Sequence, residues 1–172
     1  MQQLLVAGNE TTTNLIASAM MLLLQHPAQM EHVRNNHSRI PNLIEETLRL
    51  ESPVQGLFRM AKVDVEISGV KVPANSRLVL MYASGNRDEA QFPKAEQFDV
   101  CRANAKEHLA FGLGIHYCLG APLARLEGKI AFETLLSRLK NIHVVPGKNN
   151  FAHTPSFILR GLQALHVEFE RA

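Results

Sequence analysis

Apolar residues fill the first helix-length stretch almost all round. Leu4 to Gln25 reads as one helix, stopped by His26-Pro27 because the residue before a proline avoids helical torsions. A helix with so little polar face belongs inside something larger than itself. Pro27 to Asn36 forms a short polar helix, and a further helix runs from Leu43 to Glu51, with Pro41 before it and Pro53 after it. From Pro53 the pattern changes to short strands. Phe58 to Lys62 and Val63 to Ile67 alternate, Ser68-Gly69 turns, Val70 to Pro73 leads into Ala74-Asn75, and Ser76 to Tyr82 is a β-rich apolar run. Ala121 to Leu139 is strongly helical, with Leu123, Leu126, Ile130, Leu135, Leu136 and Leu139 giving a broad apolar face. His143 to Phe169 reads as a β-hairpin around Pro155 to Gly161. These elements make a mainly α chain with small β-sheets (α+β).

Composition narrows the function classes. At 172 residues the chain has the size of one domain, and 46% hydrophobic residues with a mean hydropathy of -0.06 are those of a globular protein. A net charge of +2, from 18 basic and 16 acidic side chains, offers no field for nucleic acid or anionic lipid. The longest apolar run, Leu15 to Leu24, is ten residues with Ser18 inside it. A membrane span needs about 20, so this is a core helix. MQQLLVAGNE has no cationic n-region and is not a signal peptide. Two cysteines, Cys101 and Cys118, lack the number and spacing of a disulfide framework or a CxxC zinc site. A reducing, cytoplasmic setting fits best, with Cys101 read as a buried thiol.

Candidate chemistry concentrates in two stretches. In FGLGIHYCLG, Phe111 to Gly120, Cys118 lies in a glycine-studded loop opening onto the helix at Ala121. Unpaired N–H groups and the helix dipole there favour thiolate. Gly112, Gly114 and Gly120 leave no side chains where a flat, bulky partner would lie. The residues by themselves leave open a small buried hydrophobe or a ligand for one open face of a metal. A dinucleotide fingerprint fails, because Tyr117 stands where the third glycine is needed and no strand clearly precedes it.

The second stretch is AGNETTT, Ala7 to Thr13. Gly8 and three threonines are poor helix formers inside a helix, and a threonine hydroxyl can bond the carbonyl four residues back, here Ala7. Either a solvent-facing polar notch or a groove flanked by the acid Glu10 and the alcohol Thr11 results. Glu46 and Arg49, three apart, share a helical face and can pair. His26, His32 and His37, spaced six and five, put no two on one face and read as solvated.

Phe111, Gly112, Gly114, His116, Cys118 and Gly120, followed by Leu123-Ala124-Arg125 and Glu127, resemble the haem-binding loop of the cytochrome P-450 family. The Ala7-Gly8-Asn9-Glu10-Thr11 segment is similar to that family's distal helix, Glu46 and Arg49 to its Glu-x-x-Arg helix, and Arg59 to its propionate-binding arginine. Ala83 to Arg102 resembles the irregular meander before the haem loop. The four matches stand in the family's order and cover nearly all of the chain.

The resemblance implies the cytochrome P-450 fold from the central distal helix onward, with haem b (iron protoporphyrin IX) as cofactor. Cys118 would be the axial ligand of the haem iron. Phe111, Gly112, His116, Gly120, Ala124 and Arg59 would surround the haem, with His116 and Arg59 on its propionates. Glu10 and Thr11 would deliver protons to dioxygen, and Gly8 would make room for it. Glu46, Arg49 and Arg102 would form a buried structural cluster. Ala7, Val54, Gln55, Leu57, Ile158 and Leu159 would line the substrate pocket, although the residues alone fit plain core packing equally. The Arg125, Lys129, Arg138 and Lys140 side is either a solvated cationic face or the dock of an acidic redox partner.

The implied function is a haem-thiolate monooxygenase, inserting one oxygen atom from O2 into an apolar small molecule. Its electrons come from an external ferredoxin/flavodoxin-type or reductase donor, without nucleic acid or membrane as partners. The family's catalytic domain is more than twice as long. Residues 1–172 are therefore expected to be a partial haem-thiolate domain lacking its N-terminal part. The alternative is a truncated, catalytically inactive haem-binding fragment.

Overall fold

The computed structural model describes residues 2–172, with side chains from Ala7 onward. Helix α1, Gln2–Gln25, ends as expected at His26-Pro27. Ala7 to Glu10 are exposed, while Thr12, Leu15 and Ser18 to Leu23 are buried. Pro27 starts α2, Pro27–Asn35, at the position where its missing N–H costs nothing. After one 3-10 turn, α3 runs Ile40–Leu50. It begins three residues earlier than the sequence pattern predicts, and Pro41 sits inside its first turn rather than ahead of it, for the same reason as Pro27.

Every α3 residue from Leu43 to Leu50 is buried, against α1 on one side and a later helix, α5 (Ala121–Arg138), on the other. The hydrophobic core is built around this three-helix contact, to which α2 adds Val33. It includes Leu15, Leu23, Val33, Leu43, Ile44 and Leu48, closed by Phe98, Val100, Phe132 and Leu136.

The predicted strands appear, each shorter than expected and β1 beginning one residue earlier: β1 Leu57–Met60, β2 Val65–Ile67, β3 Val70–Val72 and β4 Arg77–Leu80. β1 pairs antiparallel with β4, and β2 with β3. The β2–β3 loop is the two residues Ser68 and Gly69, both at positive φ (49° and 81°), the backbone that matches strand twist in a tight hairpin. A short helix α4, Tyr82–Gly85, leads into the irregular segment before the cysteine loop.

Helix α5 spans Ala121–Arg138. Its buried side matches the predicted leucine face only in part: Leu123, Leu126 and Ile130 are each about half exposed, whereas Leu136 of that face is buried together with Ala121, Gly128 and Phe132, and Leu135 packs against the core. Apolar residues occur all round this helix, and the stripe facing inward is the one carrying Gly128. A Cβ there would come within 3.0 Å of Ile44 Cδ1, so the glycine sets the close approach of α5 to α3.

The tail pairs at its base, β5 Leu139–Val144 with β6 Val167–Arg171, and not as a regular hairpin at its tip. Between them it makes only isolated bridges, His153 with Leu162 and Leu159 with Val54. The tip at Ile158 and Leu159 therefore leans on the segment after α3 as well as on the tail itself.

Candidate functional site

Among the described residues, three helices and a loop line a predominantly apolar, half-open cavity of about 300 Å³. Ala7, Thr11, Thr12 and Leu15 of α1 line it, together with Leu48 of α3 and Pro53, Val54 and Leu57 beyond. Phe111, Gly112, His116 and Cys118 of the loop and Ala124 of α5 complete the wall with Tyr82 and Ala110. The notch on α1 and the cysteine loop, more than 100 residues apart in sequence, thus face the same space.

The cysteine loop is held by its own backbone. Cys118 N–H donates to Phe111 O at 2.9 Å, and Ala121 N–H, the first of α5, donates to Cys118 O at 3.2 Å. Gly112 has φ +73°, the left-handed region that a side chain disfavours, and it turns the chain so that Phe111 and Cys118 lie side by side. A Cβ on Gly120 would make only ordinary van der Waals contact with Cys118 Sγ, at 3.8 Å.

Under the loop lies a charge cluster absent from the expected site. Glu45, buried, accepts Arg125 Nε at 2.6 Å and Nη2 at 3.0 Å, and His108 Nε2 at 3.2 Å. His108 Nδ1 accepts the Ala110 N–H at 3.1 Å, which leaves Nε2 as the donor to Glu45. Arg125 also reaches the Tyr117 hydroxyl at 3.0 Å. Burial pushes the Glu45 carboxyl up, but the hydrogen bonds from His108 and Arg125 outweigh it and hold the group at about 2. The same bond to Glu45 leads in raising Arg125 above its ordinary value, against burial. Arg125 is therefore engaged beneath the cysteine loop and is not a free cation of the expected docking side. Lys129 on that side pairs with Glu133 at 2.8 Å.

Glu46 forms the expected structural cluster. Arg49 donates to it through Nε at 2.8 Å and Nη2 at 2.9 Å, Arg102 Nε lies 3.1 Å from both oxygens, and Asp99 N–H adds a bond at 3.1 Å. The arginines' remaining donors fix the carbonyls of Asn86, Ala95, Pro93, Lys94 and Gln97. The irregular segment before the cysteine loop takes its shape from one buried carboxylate and two guanidinium forks.

Other expected residues fall elsewhere. Glu10 is exposed and off the cavity wall. Gly8 is exposed too, and a Cβ on it meets nothing within 4 Å, so among the described residues nothing crowds that position. Thr11 Oγ1 does bond Ala7 O, at 2.6 Å, as its spacing predicts. Arg59 lies in an adjoining groove with Lys62 and Arg77, its Nη1 on Phe58 O, and His116 lines both this groove and the cavity. Gln55, Ile158 and Leu159 stand behind the wall: Gln55 N–H donates to Ile158 O at 2.7 Å, and its carboxamide turns back to Ser52 O at 2.6 Å. Cys101 is exposed, not buried, with Sγ 3.4 Å from His32 Nε2, because the Asp99 turn points it away from the core side taken by Arg102. His26, His32 and His37 are exposed as expected.

Among the described residues no group of three or more His, Cys, Asp or Glu could hold a bare metal ion. A metal reaching Cys118 would have to bring most of its ligands with it. The wall accepts an apolar, flat carrier of that kind, and the edge at His116 and the Arg59–Lys62–Arg77 groove suits anionic substituents.

Comparison with known proteins agrees. The family model of cytochrome P-450 matches residues 1–161. Cytochrome P-450 109 of Bacillus spizizenii is 46% identical over 164 residues, 95% of this chain and 40% of the relative. The cytochrome P-450 monooxygenase PikC of Streptomyces venezuelae is 40% identical over 98% of this chain and 40% of its own length. Among solved structures, that of CYP109Q5 from Chondromyces apiculatus superposes with a TM-score of 0.93 at 46% identity, covering 99% of this chain and 44% of the other. The chain spans about two fifths of the length of the curated relatives it matches.

Proposed function

The chain belongs to the cytochrome P-450 family, and we propose that it carries the haem-thiolate half of a monooxygenase site acting on an apolar small molecule. Cys118 is the thiolate that holds haem through its iron. Phe111, Gly112, Gly120 and Ala124 pack against the macrocycle, and His116 and Arg59 take its carboxylates. Haem held by that thiolate would supply the activation of dioxygen. Electrons arrive from an external protein donor.

The chain's own part is to position, to keep water out and to move protons. The wall of Leu15, Leu48, Val54 and Leu57 desolvates an apolar substrate and orients it by shape. The Thr11 hydroxyl, at the cavity edge and bonded to Ala7 O, holds a proton where oxygen chemistry needs one. Glu10, one residue earlier and exposed, connects that hydroxyl to solvent protons.

The observation that supports this reading is Thr11 and Cys118 on one apolar cavity. The test is the ferrous–carbonyl spectrum of the haem-reconstituted chain. A Soret band at the thiolate position, abolished in Cys118→Ala, is expected, and an unchanged band in that variant overturns the ligand assignment. A second reading is haem binding without turnover by residues 1–172 alone. Single-turnover oxidation of an apolar substrate by the reconstituted chain separates the two.

A further inference from the structure

Behind the cavity wall sits a buried carboxylate that the reading above does not use. Glu51 follows the last residue of α3 and is 6% exposed. It accepts Arg160 Nε at 2.5 Å and Nη2 at 3.2 Å, and Arg87 Nη2 at 3.4 Å, with His153 Nε2 3.6 Å away. Arg87 is itself fixed by Leu50 O at 2.6 Å and Glu96 at 2.7 Å. Three separate parts of the chain therefore converge on one acid: the end of α3, the segment after α4 and the tail.

The residues next to this acid are the wall. From Glu51 the chain runs directly into Pro53, Val54 and Leu57, all lining the cavity. The tail crosses behind them. Arg160 N–H donates to Pro53 O at 2.9 Å, Gln55 N–H to Ile158 O at 2.7 Å, and Val54 and Leu159 form a single antiparallel bridge. Gly161, next to Arg160, is buried against Asn14 of α1, where a Cβ would collide with the carboxamide. Asn14 is three residues from Thr11, so the tail also abuts the helix that forms the facing wall. An isolated bridge does not fix a register by itself. A bidentate arginine–carboxylate pair does, because its planar geometry admits one alignment.

We propose that Glu51 is a positioning residue for substrate selection: through Arg160 it locks the tail to residues 53–55 and so sets the width of the cavity for apolar ligands from outside it. The proposal rests on the reading of the cavity as a substrate pocket, but not on haem binding, and the test is made on the haem-free full chain so that the two fail separately. Backbone amide exchange and the binding of benzene through n-butylbenzene, read from the methyl shifts of Val54 and Leu57, are compared in wild type, Glu51→Gln and Arg160→Lys.

Both variants are expected to speed exchange at Gln55 and Arg160 by about tenfold, to leave Val145, bonded to His166 O, unchanged, and to shift the affinity ranking along the alkylbenzene series about threefold. Arg160→Lys keeps the charge and tests the fork alone. An unchanged ranking overturns the proposal, as does equal acceleration at Val145 or a wild-type chain that binds none of the series. Loss of the carbonyl spectrum in Cys118→Ala is decided independently of all three.

Discussion

The guanidinium of Arg125 lies over the ring of Phe111, 4.6 Å from its centroid, while its fork grips Glu45 from the other side. Phe111 starts the loop that presents Cys118, so the pair clamps the loop between α3 and α5. Arg125→Ala should cost about 2–3 kcal/mol, below the fully buried range because the arginine side chain is 32% exposed. Arg125→Lys should recover part of that stability without restoring the loop, since an ammonium neither stacks nor forks. Near-UV circular dichroism checks it: Tyr117, bonded to Arg125, is one of two tyrosines in a chain without tryptophan.

Acid should loosen the same clamp. Glu45 titrates at about 2 in the folded chain and at about 4.3 when unfolded. Between these values the unfolded state binds more protons. The contribution is complete above about pH 4.5 and is lost progressively as pH falls towards 2. Urea midpoints measured from pH 6 down to 2.5 should fall less steeply in Glu45→Gln than in wild type.

Removing the charge of Glu46 has a larger effect. Glu46→Gln leaves Arg49, fully buried, with an uncompensated charge. Such breaks cost about 3–5 kcal/mol. The urea midpoint should drop accordingly, and amide protection should be lost first in residues 93–102, whose carbonyls the two arginines hold.

At the proposed proton-delivery step, Thr11→Ala should leave the carbonyl spectrum intact and lower product formation by on the order of 100-fold, with peroxide released instead. The ratio of peroxide to product in single turnovers measures this. An unchanged ratio removes Thr11 from the proton path.

The local geometry of the site is legible in the sequence where side-chain type and spacing leave little choice. Cys118 among glycines, Glu46 three residues from Arg49, and Thr11 four residues from Ala7 all stand as their spacing requires. What stayed hidden depends on partners far away in sequence. Glu45 and His108 carry no local signal, because each is defined by a contact across about sixty residues. Val54 and Leu57 face the cavity while Ile158 and Leu159 stand behind it, and all four are equally apolar. The inward side of α5 is legible only at its C-terminal leucines, because apolar residues surround the helix; the informative residue is Gly128, whose value lies in what it lacks. Cys101 was assigned to the interior by residue type, whereas the adjacent arginine claimed the inward position.

The β2–β3 hairpin described above has all its residues at the surface except the partly covered Val72, and its six paired positions bury no core side chain. A two-stranded ribbon of that kind contributes little to holding the molecule together. Its Ser68-Gly69 tip is thus the natural place to graft a reporter peptide or fluorophore, since lengthening the connection there disturbs neither the helices nor the cysteine loop.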